Sequence, residues 1–119
     1  MTFLAQQPAD TPVPAVTMEG KVRVPANYRG KILNQLTRAG LLVSTRGRTG
    51  GFRLARPAAH IRLRDVVAPF EPVTQAQTCV LGRARCQESH PCGAHDRWRV
   101  LSKAREEFLR GTTVADVAA

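Results

Sequence analysis

Between Gly20 and Arg64 the 119-residue chain carries no Asp or Glu. It holds three cysteines, 5% aromatic residues and no apolar run near the ~20 residues that a helix needs to cross a membrane. A helical membrane span is thereby excluded, and nothing suggests a lipid anchor. The opening MTFLAQQPAD has neither a basic start nor a long apolar core, so no secretory leader is expected and a reducing cytoplasm is the expected compartment. An odd number of cysteines cannot close into a disulfide framework that uses them all. In a reducing compartment, clustered cysteines serve more often as ligands or redox groups than as staples. No C-x-x-C pair and no Ser/His/Asp pattern stands out, so neither an enzyme nor a small-molecule substrate is expected. The length fits one domain, and 43% hydrophobic residues fill a modest core that a metal or partner subunit would help stabilise.

The acid-free segment holds eleven cations: Lys21, Arg23, Arg29, Lys31, Arg38, Arg46, Arg48, Arg53, Arg56, Arg62 and Arg64. The rest of the chain carries seven cations against nine acids. The net charge of +9 is therefore concentrated in one stretch, the footprint expected of a nucleic-acid face.

Residues 1–17 contain Pro8, Pro12 and Pro14 and read as an arm or loop, with Phe3-Leu4-Ala5 as the end of an earlier helix. Residues 16–22 form at best a weak helix because of Gly20. Pro25 is well placed to open a helix over 26–39, whose apolar face would be Tyr28, Ile32, Leu33, Leu36 and Ala39, with Gly40 as its stop. Leu42–Thr45 and Phe52–Ala55 read as strands around the turn Gly47-Arg48-Thr49-Gly50-Gly51. Leu63, Val66, Val67 and Phe70 recur as a short core helix ended by Pro69 and Pro72. A longer helix from His95 to Arg110 places Trp98, Leu101, Ala104 and Phe108 on one stripe. Thr112 or Thr113 caps a last turn over 114–117.

Helix, tight turn, helix and basic hairpin is the layout of a winged helix-turn-helix. Asn27, Lys31, Asn34, Gln35 and Arg38 share the polar face of the 26–39 helix, and these residue types read base edges in the major groove of double-stranded DNA. Arg46 and Arg48 at the hairpin tip suit phosphate contact or entry into the minor groove. The glycine-rich tip lacks GxxxxGK[ST] and joins two strands, so it is not a nucleotide-phosphate loop.

Cys79, Cys86 and Cys92 fall within TCVLGRARCQESHPCGAH, and His95 follows the last by three positions. Such a set is either a disulfide group or a metal site.

The run VPANYRGKILNQLTRAGLLVSTRGRTGGFRLARP resembles the signature of the IscR/NsrR regulators, the bacterial Rrf-two family. Tyr28, Ala39-Gly40-Leu41, Arg46-Gly47, Gly50-Gly51-Phe52 and Leu54-Ala55 carry the match. It continues through IRLRDVVAPFEP, the three cysteines, Trp98 and TTVADVA, and covers residues about 22–119. The resemblance implies a homodimeric DNA-binding transcription regulator in which the long helix pairs with its twin. It further implies an iron–sulfur cluster, 2Fe-2S or 4Fe-4S, with Cys79, Cys86 and Cys92 as ligands and His95 in the place of a fourth. His60 and His90 have no matching role. Zinc is the alternative metal, but its sites favour closer cysteine pairs.

The chain also departs from the family pattern. Members begin about a helix before Met1, so the first helix is expected to be lacking or reduced to Phe3-Leu4-Ala5. Arg29 stands where Leu is usual, and Gly30 lies inside the recognition helix at a cost of about 1 kcal/mol relative to Ala. The expected fold is mainly α with a small β-hairpin. It comprises a winged helix-turn-helix over 1–72, a cysteine-rich loop over 73–94 and a dimerisation helix with its terminal turn over 95–119. The expected function is a regulator, in the repressor sense, whose DNA affinity follows a cluster sensing nitric oxide, redox or iron–sulfur status. A zinc- or cluster-stabilised nucleic-acid-binding module without sensing is the alternative.

Overall fold

The computed structural model describes residues 1–71 and 91–118, together with Cys79, Leu81 and Ser89. Among the described residues, five helices and one hairpin follow each other as α1 (Thr2–Ala5), α2 (Ala26–Arg38), β1 (Leu42–Thr45), β2 (Gly51–Leu54), α3 (Leu63–Val67), α4 (His95–Gly111) and α5 (Val114–Ala118). Single 3-10 turns lie at Ala15–Met18, Ala58–His60 and Ala68–Phe70. The mainly helical architecture with a two-stranded wing is as expected from sequence.

Pro25 precedes α2 in extended conformation and serves as its N-cap. The helix ends because Gly40 takes φ +79°, which frees Leu41 N–H to bond Leu36 C=O at 3.0 Å while Gly40 N–H bonds Thr37 C=O at 3.0 Å. This pair of bonds, with buried Leu36 and Leu41 adjacent, is the glycine-dependent Schellman stop. Leu33 and Leu36 then enter a core completed by Leu4, Val13, Met18, Leu41, Leu42, Ile61 and Val114.

The N-terminal residues are not a free arm. Leu4 and Val13 are buried, and α1 packs on α5. Val13 exchanges both backbone hydrogen bonds with Phe52 at 2.9 Å, adding a one-residue bridge to the outer edge of β2. Residues 16–22 make only the 3-10 turn Ala15–Met18 before Gly20 turns the chain at φ +73°. The helix expected over 63–70 stops at Val67, and a 3-10 turn containing Pro69 takes its place. Proline lacks the N–H that would continue the α-helical ladder. Phe70 is 40% exposed rather than in the core.

The wing register pairs Leu42 with Leu54, Val43 with Arg53, Ser44 with Phe52 and Thr45 with Gly51. Gly51 has φ +148°, and a Cβ there would lie 2.3 Å from the carbonyl carbon of Val13. Gly51→Ala is thus expected to break the Val13 bridge and to cost about 3 kcal/mol. Thermal denaturation should show a melting point lower by roughly 10 °C. A shift of only a degree or two would mean that Val13 is not held against β2.

The long helix is fixed to the winged part at its C-terminal end. Leu63 N–H bonds Thr112 C=O at 2.9 Å and Val114 N–H bonds Ile61 C=O at 2.8 Å, forming an antiparallel bridge between Arg62 and Thr113. Thr113 then caps α5, since its N–H and hydroxyl both donate to Asp116 at 2.8 Å and Asp116 N–H donates back to its Oγ1 at 3.2 Å.

Candidate nucleic-acid interface and cysteine site

The polar stripe of α2 is built by period alone. Asn27, Lys31, Asn34, Gln35 and Arg38 lie four, seven, eight and eleven positions along one helix, and all five are exposed. The 13 residues of α2 give it a length of about 20 Å, enough to lie across several base pairs in a major groove. Arg46 and Arg48 are exposed in the turn between β1 and β2, which Gly50 N–H closes onto Gly47 C=O at 3.0 Å.

Charge pairing separates the eleven cations into two sets. Arg53 pairs with Asp10 at 3.6 Å, Arg56 with Asp65 at 3.5 Å, and Arg64 with Glu71 and Glu106 at 2.5 Å each. Each of these carboxylates comes from outside the acid-free segment. Lys31, Arg38, Arg46 and Arg48 have no acidic partner among the described residues. These four, on α2 and at the wing tip, can therefore meet an external anion without first breaking an ion pair.

Three residues in α2 and at its C-cap depart from expectation. Tyr28, expected on the apolar face, is 57% exposed, with the Lys31 ammonium 5.9 Å from its ring centroid. It lies at the margin of the helix, one step too far round to enter the core beside Ile32. Ala39 is also exposed, because it forms the helix C-cap. Arg29 turns inward, donating to Ala15 C=O and Val24 C=O at 3.3 Å each. It ties α2 to the 3-10 turn before it, and a role of this kind has no periodic signal in the sequence.

On the cysteine side, Cys79 is buried and Cys92 half-buried, and neither is in a disulfide. His95 is the first residue of α4 and is only 7% exposed, with its N–H on Cys92 C=O at 3.0 Å. One turn of backbone thus carries a thiol and an imidazole into the start of the long helix. Cys86 and His90 lie outside the described residues. Among the described residues, no three His, Cys, Asp or Glu side chains lie close enough together to hold a metal.

Beyond His95, α4 divides its apolar residues between two faces. Trp98 is half-buried and Leu109 buried, whereas Val100, Leu101 and Phe108 are 71%, 60% and 57% exposed and Ala104 is exposed as well. The single stripe expected from sequence is therefore split, and most of it faces outward.

A ring of charges joins α4 to α3. Glu71 receives Arg64 on Oε2 at 2.5 Å and Arg105 on Oε1 at 2.6 Å, while Arg64 also reaches Glu106 Oε1 at 2.5 Å. The hydrogen bond from Arg64, followed by that from Arg105, holds the Glu71 carboxyl below the usual carboxylate range. Its stabilising contribution is therefore present at neutral pH and is lost as pH falls through that lowered value.

The family model Rrf2, described as iron-dependent transcriptional regulator, matches residues 1–119. The regulator IscR of Vibrio atlanticus is 32% identical over 117 residues, covering 98% of this chain and 67% of that protein. The structure of T. potens IscR superposes with a TM-score of 0.76 at 25% identity, covering 98% of this chain and 75% of that one. The structure of CymR, the global cysteine regulator of B. subtilis, gives 0.79 at 22% identity, covering 98% and 85%, a likeness of fold. The chain spans 61% to 67% of the length of the first curated relatives it matches.

Proposed function

Because this chain belongs to the Rrf2 family of DNA-binding transcription regulators, and not to a family of enzymes, we propose that it is a homodimeric repressor whose operator affinity follows the state of an iron–sulfur cluster. Cys79, Cys86, Cys92 and His95 are the proposed ligands, and nitric oxide, redox change or loss of iron–sulfur supply is the proposed signal. No helix among the described residues is long and apolar enough to cross a membrane, in keeping with a regulator that works on DNA.

The donor set suits the cluster. Thiolates are its ordinary ligands, and an imidazole is a known substitute. Cys79 and His95 are shielded from water, which suits a cluster that must be kept from hydrolysis. When bound, such a cluster supplies a redox- and nitric-oxide-reactive centre. The protein supplies everything else, and the observation that carries this reading is how α4 joins the parts. Its first turn holds His95 beside Cys92, its middle exposes Val100, Leu101 and Phe108, and its last turns are bonded to the winged part. A change at His95, or at Cys92 just before it, would thereby act at the start of the rod that carries the proposed dimer face.

Sensing requires a different DNA affinity in each state. The test is anaerobic purification followed by iron, sulfide and zinc analysis and a visible spectrum. Iron with sulfide, and a charge-transfer band that disappears in Cys86→Ala and Cys92→Ala, is the expected result. Holo and apo protein should then differ by at least about tenfold on one operator at one salt concentration, a difference of about 1.4 kcal/mol. A colourless zinc protein would favour the structural-metal alternative, and equal binding by both forms would sink the sensing reading.

A further inference from the structure

We propose that the Arg64–Glu71–Arg105–Glu106 ring positions the winged part against α4 and so sets the half-site spacing that the regulator accepts. The inference rests on the reading of α4 as the dimer helix.

The bridge between Arg62 and Thr113 fixes where α4 meets the winged part but not the angle between them. Only a few backbone bonds cross there: Leu63 to Thr112 and Val114 to Ile61, with the Arg62 guanidinium on the Arg110 carbonyl. By themselves, these bonds would make a hinge that permits rotation. The ring sits on α4 seven to eight residues before Thr113, which is about 10 Å along the helix axis. A second point of attachment at that distance turns a hinge into a brace.

The chemistry of the ring suits a brace better than a loose surface pair. Arg64 and Arg105 face Glu71 and Glu106, and Arg110 reaches the remaining Glu106 oxygen at 3.4 Å, so each of the four carboxylate oxygens meets a cation. Arg64 on α3 forks across a carboxylate on each side, Glu71 next to its own helix and Glu106 on α4. Arg105 returns from α4 to Glu71. The side chains of Glu71 and Arg64 are only 10% and 18% exposed, so water competes weakly for them. Forked guanidinium contacts fix direction as well as distance.

The consequence for DNA follows from lever arms. A rotation of about 15° about the bridge moves any part of the winged portion that lies about 15 Å from it by about 4 Å. That exceeds the 3.4 Å rise of one base pair. In a two-fold dimer both protomers contribute the displacement, so a loosened brace blurs the spacing between half-sites without touching any base contact.

The probe is an operator selected by the wild-type protein from a random duplex library. Its variants carry one or two base pairs inserted or removed between half-sites, and a single half-site duplex serves as control. Wild type is expected to prefer the selected spacing. In Arg105→Gln and in Glu106→Gln that preference should shrink at least about fivefold, with half-site affinity unchanged, while Arg105→Lys should retain most of it. The inference is overturned if either glutamine variant stays folded, dimeric and as selective as wild type. It is overturned equally if both glutamine variants fail to fold, since the ring would then only hold the protomer together. A monomeric wild type, or a footprint without dyad symmetry, would instead strike at the dimer reading beneath it.

Discussion

Phe108→Asp is expected to leave the protomer folded and to lower affinity for a two-half-site operator by at least about a hundredfold. Phe108 is 57% exposed, so its ring adds little to the protomer core, and the neighbouring Val100 and Leu101 are more exposed still. Leu101 and Phe108, seven residues apart on one face of the helix and flanked by Val100, are large exposed apolar side chains that need a cover. The molecule measures 58 × 28 × 24 Å with a radius of gyration of 17.4 Å, against about 13.5 Å for a compact domain of this length. In a two-fold pairing of α4 with its twin, each substitution enters the interface twice and places two carboxylates in an apolar contact. Two weakly bound half-sites then replace one bivalent complex, and the loss is large because effective concentration is lost. Sedimentation and operator titration read both effects. A variant that remains dimeric with unchanged affinity would show that this face of α4 does something else.

The periodic elements were legible because their residues repeat at one spacing. Leu33 and Leu36 are where a 3.6-residue period puts them, and the wing could be read from β-branched residues around a glycine-rich turn. What escaped was non-local. Val13 belongs to the wing only because it meets Phe52, 39 positions later, and no local pattern in a proline-rich stretch announces such a bridge. Tyr28 and Phe108 have apolar periodicity yet face outward. Periodicity locates an apolar stripe but does not say whether its cover comes from the same chain or from another molecule.

The candidate site was legible by the same logic. Asn27, Lys31, Asn34, Gln35 and Arg38 fall on one exposed face because their gaps of four, seven, eight and eleven from Asn27 all return to its side of the helix. The division of the cations was not legible. Arg53 and Arg48 look alike in sequence, yet Arg53 is matched to Asp10 across the fold and Arg48 has no acidic partner among the described residues. Similarly, nothing in the spacing of Arg64, Glu71, Arg105 and Glu106 marks them as one ring, because the chain between them passes through the cysteine segment before α4 returns to α3.

That division makes the wing testable in a way that total charge is not. The double substitution Arg46→Ala with Arg48→Ala removes two exposed cations that no carboxylate holds among the described residues. If each meets a phosphate and contributes about 1 kcal/mol, affinity falls roughly thirtyfold. The plot of log K against log salt should also flatten by nearly 2, because two fewer counterions are released. The matched control is Arg53→Ala with Arg56→Ala, which removes the same formal charge from cations already paired with Asp10 and Asp65. Those carboxylates are partly or fully exposed, so their loss of a partner is tolerated, and the salt slope should change by well under 1. Melting temperatures of both pairs identify any effect that comes through stability. Equal slopes in the two double variants would mean that net charge, rather than the wing tip, draws the protein to DNA. A flattened slope for the tip alone would place two phosphates against Arg46 and Arg48 and fix the orientation of α2 in the adjacent groove.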